Sequence, residues 1–313
     1  MAINATAARQ PLCVYRGRFA PSPTGPLHFG SLVAAMASCV DARHAGGRWF
    51  VRIEDVDVPR VRPRAADAML HTLERYGFEW DGPVLRQSTR ADAYAAALAK
   101  LVTDGVAYPC ACSRRELALH PLGPAGERVY AGTCRNGIVN AGAQRARVAM
   151  RARVPARPIA FTDRVFGRQL QRLATDVGDF IVRRSDGFFA YQLAVVVDDA
   201  AQAITDVVRG ADLLGSTPRQ IFLQHALGVA TPRYLHVPVA VNAQGTKLSK
   251  ETAAAALPAS PLPALHAAWR FLGQRAPVEP ATSVREFWSW AIAHWQVERI
   301  PRQPTLPLPP SAQ

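Results

Sequence analysis

The chain has 313 residues, of which 49% are hydrophobic and 19% are charged. This composition predicts a globular protein with a well-buried core and excludes a disordered or fibrous chain. The formal net charge of +13 favours a polyanionic partner and argues against an acidic binding protein. No apolar run approaches the ~20 residues of a membrane span. The N-terminus lacks a signal-peptide core, and five cysteines do not indicate a disulfide scaffold, so we expect a cytoplasmic, reduced protein without a membrane partner.

The first hundred residues alternate between predicted strands and helices. Strands over 14–20 and 48–53 flank an alanine-rich helix over 27–44, and a Pro/Gly turn over 21–26 precedes that helix. This order predicts a parallel α/β sheet. Two further helices follow the 3.6-residue period. The first carries Met69, Leu70, Leu73 and Tyr76, and the second has Ser88 or Thr89 as N-cap, buries Tyr94, Leu98, Leu101 and Val102, and ends at Gly105.

Helical periodicity is lost between 108 and 157, where cysteine, glycine, proline and arginine dominate, which indicates an insertion. Beyond it, the patterns predict strands over 180–184 and 191–197 and a helix over 217–227 with proline in its first turn. The predicted segments are the two halves of one α/β domain at 14–107 and 176–255, an insertion over 108–175, a helical C-terminal region over 256–300 with four of the six tryptophans, and a disordered tail over 301–313.

A first motif combines RFAPSPTG, residues 18–25, with HFGS, residues 28–31, at the passage from a strand end to a helix start. A helix N-terminus favours phosphate through its free amides and its dipole. His28 can donate to a phosphate oxygen there, and Gly30 allows a nucleotide to approach the backbone. Taken alone, HFGS means little, and a histidine at a helix start without function is the better interpretation.

A second motif contains two of the three lysines of the chain, Lys247 and Lys250, in a polar loop after a strand-like segment over 237–241. The remaining 34 basic residues of the chain are arginines, so two lysines three positions apart stand out. Two ammonium groups on a loop can neutralise a leaving pyrophosphate. The alternative is a solvated basic loop.

In this order, and about 220 residues apart, the two motifs resemble the paired signatures of class I aminoacyl-tRNA synthetases, and RFAPSPTG is similar to the glutamyl branch. The resemblance covers roughly residues 16–250 and continues through motifs at 52–55, 186–191, 195–199 and 209–213. It implies a Rossmann-like, parallel-sheet catalytic domain. It also implies a ligase that activates L-glutamate with ATP and Mg²⁺ and then transfers the glutamyl group to an RNA hydroxyl.

Carried over residue by residue, the resemblance places glutamate at Arg18, Ala20, Ser22, Glu54, Tyr191 and Arg209. Guanidinium forks suit the substrate carboxylate, and Glu54 would hold the ammonium group, with Tyr191 hydrogen-bonding beside it. It places ATP at His28, Gly30, Ser31, Lys247 and Lys250. Among these, His28 and the two lysines would act on the phosphates during catalysis.

Three cysteines, Cys110, Cys112 and Cys134, supply three soft ligands, and a structural zinc ion needs four. On chemistry alone, His120 is the favoured fourth ligand. One branch of the family that the chain resembles instead places a tyrosine four residues before the last cysteine. That tyrosine is Tyr130 here, and we prefer Tyr130 as the fourth ligand. One structural Zn²⁺ is therefore expected, and free or buried thiols are the alternative.

About 60 residues follow Lys250, too few for the large helical domain with which a full glutamyl-tRNA synthetase reads the anticodon, so we expect no anticodon-binding domain. The truncated catalytic domain, the cysteine motif and HFGS together resemble a branch of the family that activates glutamate without tRNA. Its members attach the glutamate to queuosine, the modified base at the wobble position of tRNA(Asp). The implied RNA partner is the anticodon stem-loop of tRNA(Asp) carrying queuosine, bound by a monomer.

Two other functions stay open. The first is a minimal glutamyl-tRNA synthetase that charges an acceptor end and differs only in its RNA substrate. The second is a catalytically silent paralogue that binds glutamate or RNA, against which the intact His28 and lysine loop argue. Glutamate-dependent exchange between ATP and pyrophosphate in the absence of RNA distinguishes the silent paralogue from an enzyme that needs no tRNA.

Overall fold

A computed structural model describes residues 14–124, 126–138, 148–242, 244–247 and 255–309. Within these ranges the elements in chain order are β1 (Arg16–Phe19), α1 (Phe29–His44), β2 (Arg48–Ile53), α2 (Ala65–Arg75), β3 (Leu85–Arg86), α3 (Ala91–Thr103), β4 (Ala107–Cys110), α4 (Arg114–Ala118), β5 (Ala149–Ala152), β6 (Ile159–Asp163), β7 (Gly167–Gln171), α5 (Leu173–Asp176), β8 (Phe180–Arg183), α6 (Tyr191–Ala201), β9 (Asp206–Gly210), α7 (Thr217–Leu227), β10 (Arg233–Val237), β11 (Val239–Val241), α8 (Pro261–Phe271), α9 (Val284–Ala293) and β12 (Thr305–Pro307).

Parallel strands form the centre of the fold. On one side, β1 pairs with β2 and β2 pairs with β3. On the other side, β9 pairs with β10, β10 pairs with β6, and the antiparallel β7 follows β6. The Thr205 amide donates to the Arg16 carbonyl at 3.0 Å, which joins β1 to the segment leading into β9. The predicted parallel α/β architecture is confirmed.

The helix that follows β1 is apolar on nearly all sides, because it is enclosed by protein on nearly all sides. Leu32, Met36 and Val40 are fully buried between the central strands and the C-terminal helices. The chain leaves α1 through Gly46, whose φ of +65° is in the left-handed region that glycine favours. The predicted strand, helix and strand of this unit are confirmed.

The prediction of a strand over 191–197 is wrong, because this segment forms the first part of α6. A short run rich in valine cannot be assigned to a strand or a buried helix by periodicity alone. Here the helix is buried on most of its surface, including Leu193, Val195 and Val196. This packing outweighs the β preference of the valines.

The predicted N-cap of α3 is also wrong. The helix begins at Ala91 with Arg90 at its N-cap position, which makes no side-chain capping bond. Ser88 is held elsewhere, because its hydroxyl and its amide both donate to Asp55, each at 2.7 Å. Val102, predicted to be buried, is 44% exposed. The buried positions Tyr94, Leu98 and Leu101 are confirmed.

The predicted insertion over 108–175 does not form one separate unit. Its first part contributes β4 and β5, which form an antiparallel sheet with β8. Its later part contributes the hairpin of β6 and β7, which joins the central sheet at β10. The alternating polar residues of this hairpin gave no sequence signal that it borders a parallel sheet.

The C-terminal region packs against the central domain through aromatic residues. The Trp295 indole donates to Asp41 of α1 at 2.9 Å, and the Trp288 indole donates to the Tyr76 carbonyl at 2.9 Å. The prediction of a disordered tail from Pro301 onward is wrong for the residues that the structure describes, 301–309. Residues 305–307 form β12, which pairs in parallel with β11. The proline-rich composition concealed this strand, since proline lowers strand propensity.

Candidate active site

One cavity of about 480 Å³ brings together all six residues predicted to bind glutamate. Arg18 is in β1 and Arg209 is in β9, so neighbouring strands place two guanidinium groups at the same edge of the sheet. The remaining four, Ala20, Ser22, Glu54 and Tyr191, come from the ends of β1 and β2 and the start of α6. Ligands of open α/β sheets bind at such edges, beyond the carboxyl ends of the strands.

A buried ion network supports one side of this cavity. Asp199 accepts from the Arg18 Nε at 3.1 Å and from an Arg52 terminal nitrogen at 2.8 Å. The other terminal nitrogen of Arg52 lies 3.4 Å from Glu54. Arg18 and Arg52 are almost fully buried, so Asp199 supplies the negative charge that each requires.

The two carboxylates of this network differ in acidity. Burial raises the pKa of Glu54, and the nearby guanidinium groups of Arg52 and Arg18 only reduce that effect. Burial also opposes the ionisation of Asp199, but its two arginine partners outweigh burial and hold its pKa below the usual carboxyl range. Asp199 is therefore the fixed anion of the network, whereas Glu54 faces the cavity and gains from a cationic ligand.

Arg209 has no anionic partner within the described ranges. Its guanidinium donates to the Thr217 hydroxyl at 2.9 Å, to the His236 ring at 3.1 Å, and at 3.4 Å to the Tyr191 hydroxyl and the Leu213 carbonyl. Burial lowers the pKa of His236 to about 4, so its ring is neutral near pH 7. Since Arg209 is 4% exposed and its partners among the described residues are neutral, it favours an anionic ligand in the cavity.

A second cavity, of about 580 Å³, contains four of the five residues predicted to bind ATP: His28, Gly30, Ser31 and Lys247. A side chain at position 30 would approach the His28 ring to 3.2 Å, so glycine keeps this helix start accessible. Lys247 forms an ion pair with Asp212 at 2.5 Å. Lys247, Ser22 and Gly210 line both cavities, so the two sites adjoin. Lys250 lies outside the described residues.

The three predicted zinc cysteines converge, and their sulfur atoms lie within 4.8 Å of one another. The Tyr130 hydroxyl lies 3.4 Å from Cys110 Sγ and 3.5 Å from Cys112 Sγ. It also accepts from the Cys134 amide at 2.9 Å. Three thiols with a fourth oxygen donor at the same point fit a tetrahedral zinc site.

The alternative fourth ligand, His120, is placed differently. Its ring packs against the Tyr130 ring at a centroid distance of 5.4 Å, and its Nδ1 accepts from the Ala131 amide at 3.2 Å. The Tyr130 hydroxyl, by contrast, directly contacts the sulfurs of Cys110 and Cys112. The Arg151 Nε donates to Cys110 at 3.3 Å and favours a thiolate there.

The sequence does not predict the role of several residues of the site. Arg52 and Asp199 lie in the motifs at 52–55 and 195–199, which assign them no function, and no sequence pattern singles out Asp163 or His236. The one available signal was the acidic pair Asp198–Asp199 within an apolar run, because a buried carboxylate requires a partner. The position of that partner depends on the tertiary fold.

None of the helices in the described ranges combines the length and the apolar character that a membrane crossing requires.

Comparison with known proteins identifies the family. Residues 15–259 match the family described as tRNA synthetases class I (E and Q), catalytic domain. A relative from Aromatoleum aromaticum, named glutamyl-Q tRNA(Asp) synthetase, is 58% identical over 92% of this chain and 91% of its own. A protein of the same name from Dechloromonas aromatica is 56% identical over 94% of this chain and 98% of its own.

Solved structures agree on the fold. A glutamate-tRNA synthetase from Elizabethkingia anophelis superposes with a TM-score of 0.76 at 23% identity, over 93% of this chain and 67% of that one. A glutamate tRNA ligase from Elizabethkingia meningosepticum, solved with its amino acid, gives a TM-score of 0.76 at 24% identity, over 94% and 67%. With the family match over residues 15–259, these findings show that the chain belongs to the class I glutamyl- and glutaminyl-tRNA synthetases, in their glutamyl-Q tRNA(Asp) synthetase branch.

Proposed function

We propose that this protein activates L-glutamate with ATP, without tRNA, and transfers the glutamyl group to queuosine at the wobble position of tRNA(Asp). The names of relatives at 54–58% identity over nearly the whole chain support this function. The observation that carries it in the structure is Arg209, a buried cation with neutral partners on the wall of the cavity.

The charges of the cavity match those of glutamate. Arg209 and Arg18 offer guanidinium groups to the substrate carboxylate. A neutral amide in the same place would pair less well with these two cations. Glu54, whose pKa is raised by burial, is favoured as an anion when an ammonium group lies beside it. The Tyr191 hydroxyl lies within 3.4 Å of Arg209 and can hydrogen-bond the same ligand.

The adjoining cavity places the phosphates of ATP near the same substrate. The α-carboxylate of glutamate attacks the α-phosphorus, a new O–P bond forms, and pyrophosphate leaves with the electrons of the broken bond. His28 at the start of α1 and Lys247 and Lys250 in the lysine loop stabilise the charge on that leaving group. Mg²⁺ bound with ATP would neutralise part of the phosphate charge. A hydroxyl of the RNA acceptor then attacks the activated carbonyl, and AMP leaves.

The RNA partner is the anticodon stem-loop of tRNA(Asp), bound by a monomer. The net charge of +13 supports binding to its phosphate backbone, and we expect this binding to weaken as the salt concentration rises.

The decisive experiment measures transfer of labelled glutamate, with ATP and Mg²⁺, to purified tRNA(Asp) with and without queuosine, and to tRNA(Glu). We expect label only on tRNA(Asp) that contains queuosine. Label on unmodified tRNA(Glu) would instead identify a minimal glutamyl-tRNA synthetase. No label on any RNA, together with no glutamate-dependent exchange between ATP and pyrophosphate, would identify a silent paralogue.

We also propose one structural zinc ion held by Cys110, Cys112, Cys134 and Tyr130. Bound zinc would crosslink the end of β4 to the segment that carries Tyr130 and Cys134. The ion would contribute to folding and take no part in the reaction.

Replacing Cys134 with serine tests this zinc site. We expect the purified protein to bind about one zinc ion per chain and the C134S variant to bind almost none, because a hard hydroxyl replaces a soft thiolate. Elemental analysis measures the metal, and urea unfolding reports the lost stability. Cys39, buried in α1 away from the cluster, gives the control, and Cys39→Ala should retain its zinc. Zinc-free parent protein would contradict the proposal.

A further inference from the structure

Behind Arg209 lies a buried chain of hydrogen bonds that the proposed mechanism does not use. Arg209 Nε donates to His236 Nε2 at 3.1 Å, and His236 Nδ1 lies 2.7 Å from an oxygen of Asp163. His236 and Asp163 are both essentially inaccessible to solvent. Asp163 is the last residue of β6 and His236 is in β10, so two neighbouring strands of the central sheet hold this pair.

These partners determine which ring nitrogen of His236 carries the proton. Asp163 accepts only, because the bonds from His236 and from backbone amides outweigh burial and lower its pKa. His236 Nδ1 must therefore donate to Asp163. In a neutral ring Nε2 then has no hydrogen and can accept from Arg209. With the proton on Nε2, the ring N–H would face the Arg209 donor, and only the Thr217 hydroxyl, 3.3 Å from Nε2, could accept it.

We infer that His236 is a positioning residue, which Asp163 holds in the Nδ1-protonated form so that Arg209 presents its guanidinium to the substrate carboxylate. This inference rests on the proposed function, because it assumes that Arg209 binds glutamate. Thr217 supports the same geometry, since its hydroxyl accepts from Arg209 at 2.9 Å. The donors of Nε and of one terminal nitrogen are thus fixed by the protein, and the guanidinium cannot rotate freely.

The backbone around Asp163 makes one substitution especially informative. Its Oδ1 accepts from three amides, those of Val165 at 3.0 Å, Phe166 at 2.9 Å and His236 at 3.4 Å. In Asp163→Asn the carbonyl oxygen must take this position, since an NH₂ group there would face three donors. The NH₂ group then faces His236 Nδ1, which becomes an acceptor, and the ring proton moves to Nε2, opposite Arg209.

Glutamate-dependent exchange between ATP and pyrophosphate measures the consequence. We expect D163N to raise the KM for glutamate about tenfold or more, because the donor of Arg209 loses its acceptor, and to change the KM for ATP less than about twofold. His236→Gln carries an amide oxygen that accepts without any choice of proton position, and its KM for glutamate should stay within about threefold of the parent value. His236→Met lacks this acceptor and should behave like D163N.

A double variant separates proton position from loss of the buried charge. In the H236Q background the tautomer no longer matters, so adding D163N should change the KM for glutamate by less than about twofold. An equal effect of D163N in both backgrounds would overturn the inference, because it would report only charge or misfolding. Similar KM values for H236Q and H236M would also overturn it, and this pair remains informative even if D163N fails to fold.

Nitrogen-15 NMR of the imidazole rings gives a direct readout. The parent protein should show His236 protonated at Nδ1, and D163N should show it protonated at Nε2. A parent ring protonated at Nε2 would overturn the inference. Failure of the proposed function would give a different result. The parent protein itself would then show no glutamate-dependent exchange between ATP and pyrophosphate.

Discussion

Replacing Lys247 with alanine is expected to slow glutamate-dependent exchange between ATP and pyrophosphate about a hundredfold, with most of the loss in kcat. Lys247 lines both the cavity assigned to ATP and the cavity assigned to glutamate, so the two substrates would meet beside this residue. Its charge matters most when pyrophosphate separates, because negative charge then builds up on the leaving group. The KM for glutamate should change little, since Arg18, Arg209 and Glu54 remain in place.

The scarcity of lysine provides a matched control. Lys100 lies on α3, is half-exposed, and forms its ion pair with Asp104 at 2.7 Å. Lys100→Ala removes the same charge from the chain and should leave the exchange rate within about twofold, because an exposed ion pair contributes little energy. If both variants slowed exchange equally, the role assigned to Lys247 would be wrong and a general effect of charge would replace it.

Replacing Asp199 with asparagine is expected to destabilise the protein by about 3–5 kcal/mol, since it leaves two buried guanidinium groups without their shared anion. Arg18 and Arg52 both donate to the same carboxylate oxygen, at 3.1 and 2.8 Å, and both arginines are almost fully buried. Urea unfolding at neutral pH measures the change in free energy. Asp104→Asn, which removes a half-exposed carboxylate, should change this free energy by less than about 1 kcal/mol.

The same carboxylate gives a pH dependence with a definite sign. The pKa of Asp199 in the folded protein lies below the usual carboxyl range, whereas in the unfolded chain the same group has the ordinary aspartate pKa of about 4. The stabilisation by Asp199 is therefore present above about pH 4 and is lost as the pH falls through the folded pKa. The parent protein should lose stability faster than D199N on acidification below about pH 4. Parallel pH profiles of the two proteins would contradict this assignment.

The parts of the fold that the sequence predicted correctly are those with strong local signals. The strand over 48–53 and the helix over 217–227 coincide with β2 and α7, because glycine, proline and continuous apolar runs define their ends. The segment over 191–197 shows where local signals fail. Its valines favour a strand, and only the burial of most of α6 against distant parts of the chain makes it a helix.

The candidate site divides in the same way. Arg18, Glu54 and Arg209 were predicted through motifs, and the structure brings them to one cavity. Their supporting partners are distant in sequence: Asp199 is 181 residues from Arg18, and His236 is 27 residues from Arg209. A carboxylate or an imidazole has no local pattern that names its partner, so only the fold of the sheet and α6 reveals these pairs.

The pairing of β12 with β11 sets an order of events during synthesis. β11 leads into the lysine loop, and Val239 lines the cavity assigned to ATP, yet its partner strand lies more than 60 residues later in the chain. A ribosome therefore completes nearly all of the catalytic sheet before this last neighbour is translated. Until then the side of β11 that β12 covers lacks this partner strand, and such an edge can pair with another chain. We therefore expect the nascent chain to be most prone to aggregation along this edge, which borders the cavity assigned to ATP, until residues 305–307 are translated.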